Sequence, residues 1–322
     1  MTFSSLEIEP IKEIHLSKVI DIWLSQYKES IASGSLVSQS WLTNISLLRK
    51  FITNHINEKK GVVARSGDAI VGYFLFDSFM FHGENTAFSP IIGHGALSSY
   101  KVLSYQAMYQ YLSTEWIEQG ILNHLLTFFS YDRLLKDFLY ELGFGLYGVD
   151  AFRSTDPILL SDGNLTILEA DMNLIADLIR LEEDCRLFFK QAPLFLVSNP
   201  HSLDYYKNVF ENEGKTIFLA KIHDEVVGFI TIGKNDEEDI TVLADKNTGM
   251  IIGTFIQPQH RGSGIGNCLL QRCVEWSQKM GLGRIHVDFE SANLFGYRFW
   301  LKHFTPALYS VNRKINHDII KV

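Results

Sequence analysis

The feature that most restricts the fold of this chain is a faint internal repeat. Short segments of the first half recur in the second half roughly 160 residues later, in the same order and with nearly constant spacing. The clearest pairs are Leu6-Glu7-Ile8 with Leu165-Thr166-Ile167, Val71-Gly72-Tyr73 with Val227-Gly228-Phe229, and Ile91-Ile92-Gly93 with Ile251-Ile252-Gly253. Because chance matches would not keep this register, the repeat predicts a tandem duplication of 1–158 and 159–322. The turn-forming stretch 156–164 is the predicted boundary between the two copies. The alternative is one large α/β domain.

Each half predicts the same order of elements. A short strand is followed by two helical stretches, a hairpin, a central strand, a long helix, another strand, a shorter helix and a last strand. In the first hairpin, Ser66-Gly67-Asp68 supplies the positive-φ residue that a tight turn needs. Strands and helices in this order predict an α/β fold with a mixed sheet that is covered by helices on both faces.

In the second half, a glycine-rich turn lies where an apolar strand passes into a helix. The strand 250–256 leads through Pro258 into Arg261-Gly262-Ser263-Gly264-Ile265-Gly266, and a helix follows. The amides of such a turn and of the helix N-terminus attract a phosphate or pyrophosphate group. Gly266 is followed by Asn-Cys and not by Lys-Ser/Thr, which excludes a P-loop, and no glycine frame completes the dinucleotide fingerprint.

The spacing Arg261-x-x-Gly264-x-Gly266, with its proline and preceding strand, resembles the acetyl-CoA-binding motif of the GCN5-related N-acetyltransferase (GNAT) family. The resemblance implies two tandem acyl-CoA N-acyltransferase domains, with acetyl-CoA as the acyl donor bound by 159–322. It also implies direct transfer of the acetyl group to a primary amine of a small acceptor. The first half has Ser98-Ser99-Tyr100-Lys101 after its central strand, without the glycines or the arginine, and is therefore expected to be a degenerate copy.

The resemblance also implies how acetyl-CoA binds. The strands 250–256 and 284–290 are expected to part and hold the pantetheine arm, with backbone groups of Phe255 and Ile256 contacting its amides and the thioester. The other implied cofactor-binding residues are those of the turn, Gly262, Ser263, Gly264, Ile265 and Gly266, and Arg261, which would supply positive charge beside the pyrophosphate. Asn293 and Phe299 belong to a motif that resembles the last conserved motif of the family. The alternatives are that Arg261 is a solvated turn residue and that Asn293 is only a helix cap.

The catalytic groups depart from the family pattern. Trp300 stands where the family usually has a tyrosine that protonates the leaving thiolate, and Tyr297, one helical turn earlier, is the substitute candidate. Alternation along the preceding strand places His286, Asp288 and Glu290 on one face. Glu290, at the carboxyl end of that strand, is the predicted general base. The alternatives for these three side chains are structural pairing, with surface groups or with the first domain, and a metal site.

Composition narrows the partners and the compartment. The net charge of −8 without a basic run argues against nucleic acid as a partner. No apolar run is long enough for a membrane span, and the N-terminal sequence lacks the regions of a signal peptide. Three scattered cysteines without metal-ligand spacing predict reduced thiols, a cytoplasmic protein and no bound metal. A monomer or a homodimer is expected.

Two rival functions remain open on the sequence. The missing tyrosine motivates a non-catalytic acyl-CoA-binding or interaction protein on the same fold. A peptidyl- or aminoacyl-transferring relative with two such domains is the other rival, and the well-formed glycine turn disfavours it.

Overall fold

The structure of the chain, a computed structural model, describes residues 6–159, 165–235, 242–243 and 245–321. Its strands are β1 (Glu7–Pro10), β2 (Gly61–Ser66), β3 (Ala69–Leu75), β4 (Asp77–Phe81), β5 (Glu84–Ser89), β6 (His94–Ala96), β7 (Asn123–Phe129), β8 (Gly145–Ser154), β9 (Thr166–Glu169), β10 (Lys215–Ile222), β11 (Glu225–Lys234), β12 (Thr248–Ile256), β13 (Arg284–Glu290) and β14 (Thr305–Lys314). Its helices are α1 (Leu16–Ala32), α2 (Ser46–Glu58), α3 (Lys101–Glu118), α4 (Arg133–Glu141), α5 (Ile175–Lys190), α6 (Leu203–Glu211), α7 (Ile265–Lys279) and α8 (Leu294–His303).

The predicted order of elements is present in both halves, and the mixed α/β class is confirmed. The first half departs from the prediction in two places. It adds the hairpin of β4 and β5, and its central strand is reduced to the three residues of β6. Among the helices that the structure describes, none is long and apolar enough to cross a membrane.

The chain divides into two compact units. One unit comprises Met1–Val149 and Pro306–Val322, and the other comprises Asp150–Thr305. As segments of sequence, 1–158 and 159–322 remain the proposed repeats. As compact units the division differs, because the second part of β8 belongs to the second unit and nearly all of β14 to the first. The last strand of each repeat thus lies, in part or nearly whole, in the unit formed mainly by the other repeat. Of the predicted linker, residues 160–164 lie outside the described part of the chain.

The first unit contains the four-stranded sheet β1-β2-β3-β6 and the strand set β4-β5-β7-β14. In that set β14 pairs antiparallel with β7, so the C-terminal strand is held by a regular ladder. Large apolar side chains that include Phe74, Met108 and Trp116 form the core against α3. This unit therefore has a hydrophobic core of its own.

In the second unit the strand order is β9-β10-β11-β12-β13, with antiparallel neighbours except for the parallel pair of β12 and β13. Helices α5 and α6 cover one face, where Leu178 and Tyr206 pack in one cluster with Phe229 and Phe255. Because side chains alternate along a strand, Thr254 faces the opposite side, which α7 covers. The sheet is covered on both faces, as predicted.

Candidate active site

The neighbouring strands β12 and β13 separate before they end. Their parallel ladder pairs Thr248 with Arg284 and continues only to Ile251 and Val287. Beyond this point β12 runs on to Ile256 and β13 to Glu290, with no further pairing between them among the described residues. The predicted parting of these two strands is therefore present in the structure.

Strand alternation determines which backbone groups of β12 face this gap. Gln257 donates its amide to the Val227 carbonyl of β11 at 3.0 Å. Hydrogen-bonded pairs alternate along an antiparallel ladder, so Phe255 also turns its N–H and C=O toward β11. The groups that face the gap belong to Thr254 and Ile256. Contrary to the expectation, the backbone of Phe255 is therefore committed to the sheet, and Thr254 presents open backbone groups in its place.

The turn after β12 is built so that its amides remain open. A short 3₁₀ turn, Pro258–His260, redirects the chain, and Gly262 and Gly264 then adopt φ angles of 81° and 89°, which favour glycine. Gly264 is the N-cap of α7 and has no side chain to satisfy the first amides of the helix. From Gly262 to Gly266, none of the five amides donates a hydrogen bond to a described residue. This row of open donors fits the negative oxygens of a pyrophosphate.

Gly266 is needed for a different reason from the other glycines. A Cβ atom at this position would lie 2.9 Å from Cε2 of Phe299. The absence of a side chain therefore lets α8 pack its Phe299 ring directly against the first turn of α7. The structure brings these two predicted residues together.

A cavity of about 370 Å³ joins these elements. We call the lining by the turn and by the part of α8 that packs on it the loop end: Gly262, Gly264, Gly266, Asn267, Phe299 and Lys302. We call the lining by Arg261 and the phenylalanine rings the aromatic end: Phe188, Phe189, Phe255, Phe295 and Arg261. Thr254, Ile256, Asn293 and Trp300 also line the cavity. Ser263 and Ile265 contribute only their amides, since Ser263 is exposed with its hydroxyl bonded to His260 and the Ile265 side chain is buried.

Arg261 lies at the aromatic end of the cavity. Its Nε atom donates to the Ile256 carbonyl at 2.9 Å. The guanidinium carbon lies 4.3 Å from the ring centre of Phe188, 5.6 Å from that of Phe255 and 5.3 Å from that of Phe295. Burial lowers the pKa of Arg261 from its usual value, although the side chain stays charged. The side chain is therefore not a solvated turn residue.

Helix α8 supplies one wall of the cavity. Asn293 is its N-cap: its Oδ1 accepts the Gly296 amide at 3.1 Å, while its Nδ2 donates to no described residue. The helix-cap role is thus present together with a position in the cavity wall. Trp300 is buried in the wall. Tyr297 instead packs its ring against Phe289, with centres 5.7 Å apart, and is not part of the lining.

The three polar side chains of β13 have separate environments. His286 is buried, and its Nε2 lies 3.0 Å from Oδ1 of Asp150 in β8. Asp150 belongs to the first repeat, so this contact is the structural pairing that was the alternative for His286. Asp288 is exposed, and Glu290 is half-buried at the end of the strand. Glu290 does not line the cavity. It lies close enough to Cys185 that, besides burial, its negative charge raises the pKa of that thiol, while the positive charge of Arg261 lowers it. Within the described ranges, no three His, Cys, Asp or Glu side chains form a group that could hold a metal ion.

The corresponding region of the first unit is closed by buried polar side chains. His94 of β6 contacts the Thr127 carbonyl of β7 at 2.8 Å through Nε2 and the Tyr105 hydroxyl at 2.6 Å through Nδ1. Because a carbonyl can only accept, Nε2 carries the proton and Nδ1 accepts from Tyr105. Lys101, at the start of α3, forms an ion pair of 2.5 Å with Asp132, and both side chains are 7% exposed.

Sequence reasoning missed the aromatic end of the cavity. Phe188 and Phe189 are consecutive rings near the end of α5, Phe295 follows the Asn293 cap, and Lys302 is a charged residue on a short helix. No motif marks these positions. The one available signal was the adjacent pair Phe188-Phe189, which places at least one ring off the apolar stripe of an amphipathic helix.

Comparison with known proteins agrees with this geometry. Residues 176–304 match the model of the acetyltransferase (GNAT) family. Over 74 residues the chain is 28% identical to an uncharacterized N-acetyltransferase of Archaeoglobus fulgidus, a match that covers 23% of this chain and about half, 48%, of that relative.

Two solved structures share the fold along nearly the whole chain. The GCN5-related N-acetyltransferase from Sphaerobacter thermophilus is 10% identical, with a TM-score of 0.57 over 97% of this chain and 96% of its own. A GCN5-related glucosamine N-acetyltransferase region of a fungal multi-domain GH3 beta-N-acetylglucosaminidase is 12% identical, with a TM-score of 0.51 over 95% of this chain and 38% of that one. At these identities the likeness shows the fold alone. The family match and the shared fold together confirm the resemblance of residues 176–304 to the GNAT acetyltransferase family.

Proposed function

We propose that this protein is an N-acetyltransferase that moves the acetyl group of acetyl-CoA to a primary amine of a small acceptor. The observation that carries the proposal is the row of open amides from Gly262 to Gly266, at the uncapped N-terminus of α7. This row opens into a cavity that is also lined by Thr254 and Ile256, the β12 residues whose backbone groups face away from β11. An anion-binding turn joined to a free strand edge suits a ligand with a pyrophosphate and an amide-containing arm.

The residues of the site would divide the work as follows. The turn amides hold the pyrophosphate, with Lys302 as the nearby positive charge in the loop end. The gap-facing groups of Thr254 and Ile256 bind the pantetheine arm, and the Ile256 amide donates to the thioester oxygen, where negative charge grows during attack. The amine nitrogen forms a bond to the acetyl carbon while the carbon–sulfur bond breaks. The acceptor loses one proton and the CoA thiolate gains one, so the products are an N-acetylated amine and CoA.

Glu290 is the proposed general base. It lies at the end of β13, beyond the last residue of that strand that pairs with β12. Burial raises the pKa of the Cys185 thiol to about 12, and the nearby negative charges of Glu182 and Glu290 add to this rise. Because the carboxylate does not line the cavity, we propose that it takes the proton through a water molecule. The thiolate is then protonated from solvent, since Tyr297 packs away from the cavity and Trp300 has no transferable proton.

One donor site per chain is part of the proposal. In the first unit, His94 bridges β6 to β7 and Lys101 is held in an ion pair at the start of α3, so side chains occupy the region that is a cavity in the second unit. The three free cysteines, Cys185, Cys268 and Cys273, support a cytoplasmic location. The absence of a nucleic-acid partner and a monomeric or homodimeric state remain predictions.

Calorimetric titration with acetyl-CoA tests the proposal. We expect one molecule bound per chain, and we expect Gly262→Asp to abolish binding because a carboxylate beside the open amides repels the pyrophosphate. Gly281→Asp is the matched control: both glycines have positive φ angles, 81° and 72°, and open space for a side chain, but Gly281 lies past the C-terminal end of the same helix.

The outcomes separate the candidate functions. Two molecules per chain would show that the first unit also binds the donor. Equal loss of binding in both variants would show that strain, not the phosphate site, is responsible. Binding without acetylation of any amine would favour the non-catalytic acyl-CoA-binding protein, for which the specific observation is that no described carboxylate, histidine or tyrosine lines the cavity.

A further inference from the structure

The aromatic end of the cavity holds a guanidinium group with unused donors. Of the three guanidinium nitrogens of Arg261, Nε alone donates a hydrogen bond to a described residue, the Ile256 carbonyl. Its two terminal nitrogens have no hydrogen-bond or ion-pair partner among the residues that the structure describes, although the side chain is only half exposed. Stacking of Phe188, Phe255 and Phe295 around the group holds its plane and limits its hydration. A guanidinium in this state is a ready partner for an anion.

The partners of the Arg261 side chain lie on the other face of the sheet from α7. Its stacking partners Phe188 and Phe255 belong to the core cluster under α5 and α6. The open amides of Gly262 to Gly266 lead into the first turn of α7, which covers the opposite face of the sheet. Lys302 lies on α8, the helix whose Phe299 ring packs on Gly266. This arrangement favours a role for the Arg261 side chain at the aromatic end of the cavity over the expected contact with the pyrophosphate.

The charge of the lining is one-sided. Arg261 and Lys302 are its charged side chains, and no carboxylate of the described residues lines the cavity. A dicationic or polycationic acceptor would meet like charge in this lining. An acceptor that carries a carboxylate beside its amine would bring the missing counter-charge.

We propose that Arg261 binds the carboxylate of the acceptor, and that the acceptor class is an apolar or aromatic amino acid. The two terminal nitrogens of the guanidinium suit a carboxylate in a bidentate arrangement. The rings of Phe188, Phe189 and Phe295 then contact the apolar body of the amino acid, and the amine is left free to attack the thioester in the gap. This inference rests on the proposed acetyltransferase function.

The test compares matched acceptors that differ only in the carboxylate. Phenylalanine, leucine and tryptophan are assayed against phenethylamine, isoamylamine and tryptamine, with acetyl-CoA binding measured separately by calorimetry. We expect kcat/KM of the wild-type protein to favour each amino acid by about a hundredfold. We expect Arg261→Gln and Arg261→Lys to remove this preference while the Kd for acetyl-CoA stays within about threefold, because lysine keeps the charge but loses the fork.

Two further variants locate the effect. Lys302→Gln should weaken acetyl-CoA binding and leave the preference for the carboxylate intact. Arg298→Gln, an exposed arginine of α8 outside the cavity lining, should change neither.

Each failure has a distinct meaning. No acetyl-CoA binding by the wild-type protein overturns the proposed function, and the inference with it. Binding with equal rates for the matched acceptors, or with no acetylation of any amino acid in the panel, overturns the inference alone. A large rise in the acetyl-CoA Kd of Arg261→Gln with an unchanged preference would return Arg261 to the pyrophosphate.

Discussion

Replacing Gly266 by alanine tests how α7 and α8 are locked together beside the cavity. The new Cβ would lie 2.9 Å from Cε2 and 3.1 Å from Cζ of Phe299, whereas ordinary van der Waals contact begins at 3.4 Å. Two opposing effects set the result. Alanine in place of glycine stabilises a helix by up to about 1 kcal/mol, but forcing extra volume into a packed contact costs about 1–3 kcal/mol. Since Phe299 is also held against Trp300 and His303, we expect a net destabilisation of about 1 kcal/mol.

A double-mutant cycle with Phe299→Leu measures this contact directly. The smaller leucine side chain relieves the clash, so Gly266→Ala should become neutral or stabilising in that background, with a coupling energy of about 1–2 kcal/mol. The measurement is urea unfolding of the four proteins without ligand, followed by acetyl-CoA titration. The Kd should rise for Gly266→Ala alone, because a displaced Phe299 ring changes the cavity wall. If Gly266→Ala stabilises the protein equally in both backgrounds, the packing argument is refuted.

Three further predictions concern catalysis and pH. Glu290→Gln should lower kcat by about 10²-fold or more and remove the acid limb of the pH–rate profile without changing acetyl-CoA binding; a fully active variant would end the assignment. Tyr297→Phe should keep kcat within about twofold, because its ring packs outside the cavity, and a large loss in steady-state assays would restore it as the acid. Burial lowers the pKa of His94 to about 4, so its contribution to stability is complete above pH 6.5 and is lost as the pH falls toward 4. Urea unfolding should show about 2 kcal/mol of this loss between pH 7.5 and pH 5, reduced in His94→Gln and retained in the exposed control His317→Gln; an equal loss in both variants would contradict it.

Much of the fold could be predicted because its signals are local or periodic. The repeated order of elements follows from hydrophobic periodicity, and the turn at 261–266 follows from the glycines themselves. The hairpin of β4 and β5, Asp77–Phe81 and Glu84–Ser89, was missed because the order of elements inferred from the repeat contains only one hairpin in each half. The central strand of the first half, β6, is short because the apolar residues before it, Ile91 and Ile92, lie in a turn in the structure.

The sequence by itself determined the fold class of the chain and the place of its glycine-rich turn. These depend on residues close together in the chain: Pro258, Gly262 and Gly264 act on their own backbone, wherever the rest of the protein lies.

Only the tertiary structure decided what the side chains around that turn do. The motif arginine at 261 lies among aromatic rings because Phe188, 73 residues earlier, and Phe295 pack against it and because the Ile256 carbonyl accepts a hydrogen bond from it. The strand exchange is likewise invisible in the sequence, since β14 has the same alternating pattern whichever repeat it pairs with. Which residues distant in the chain come into contact depends on how all the side chains of the interior pack together. The spacing of motifs and the composition of the chain do not contain this information.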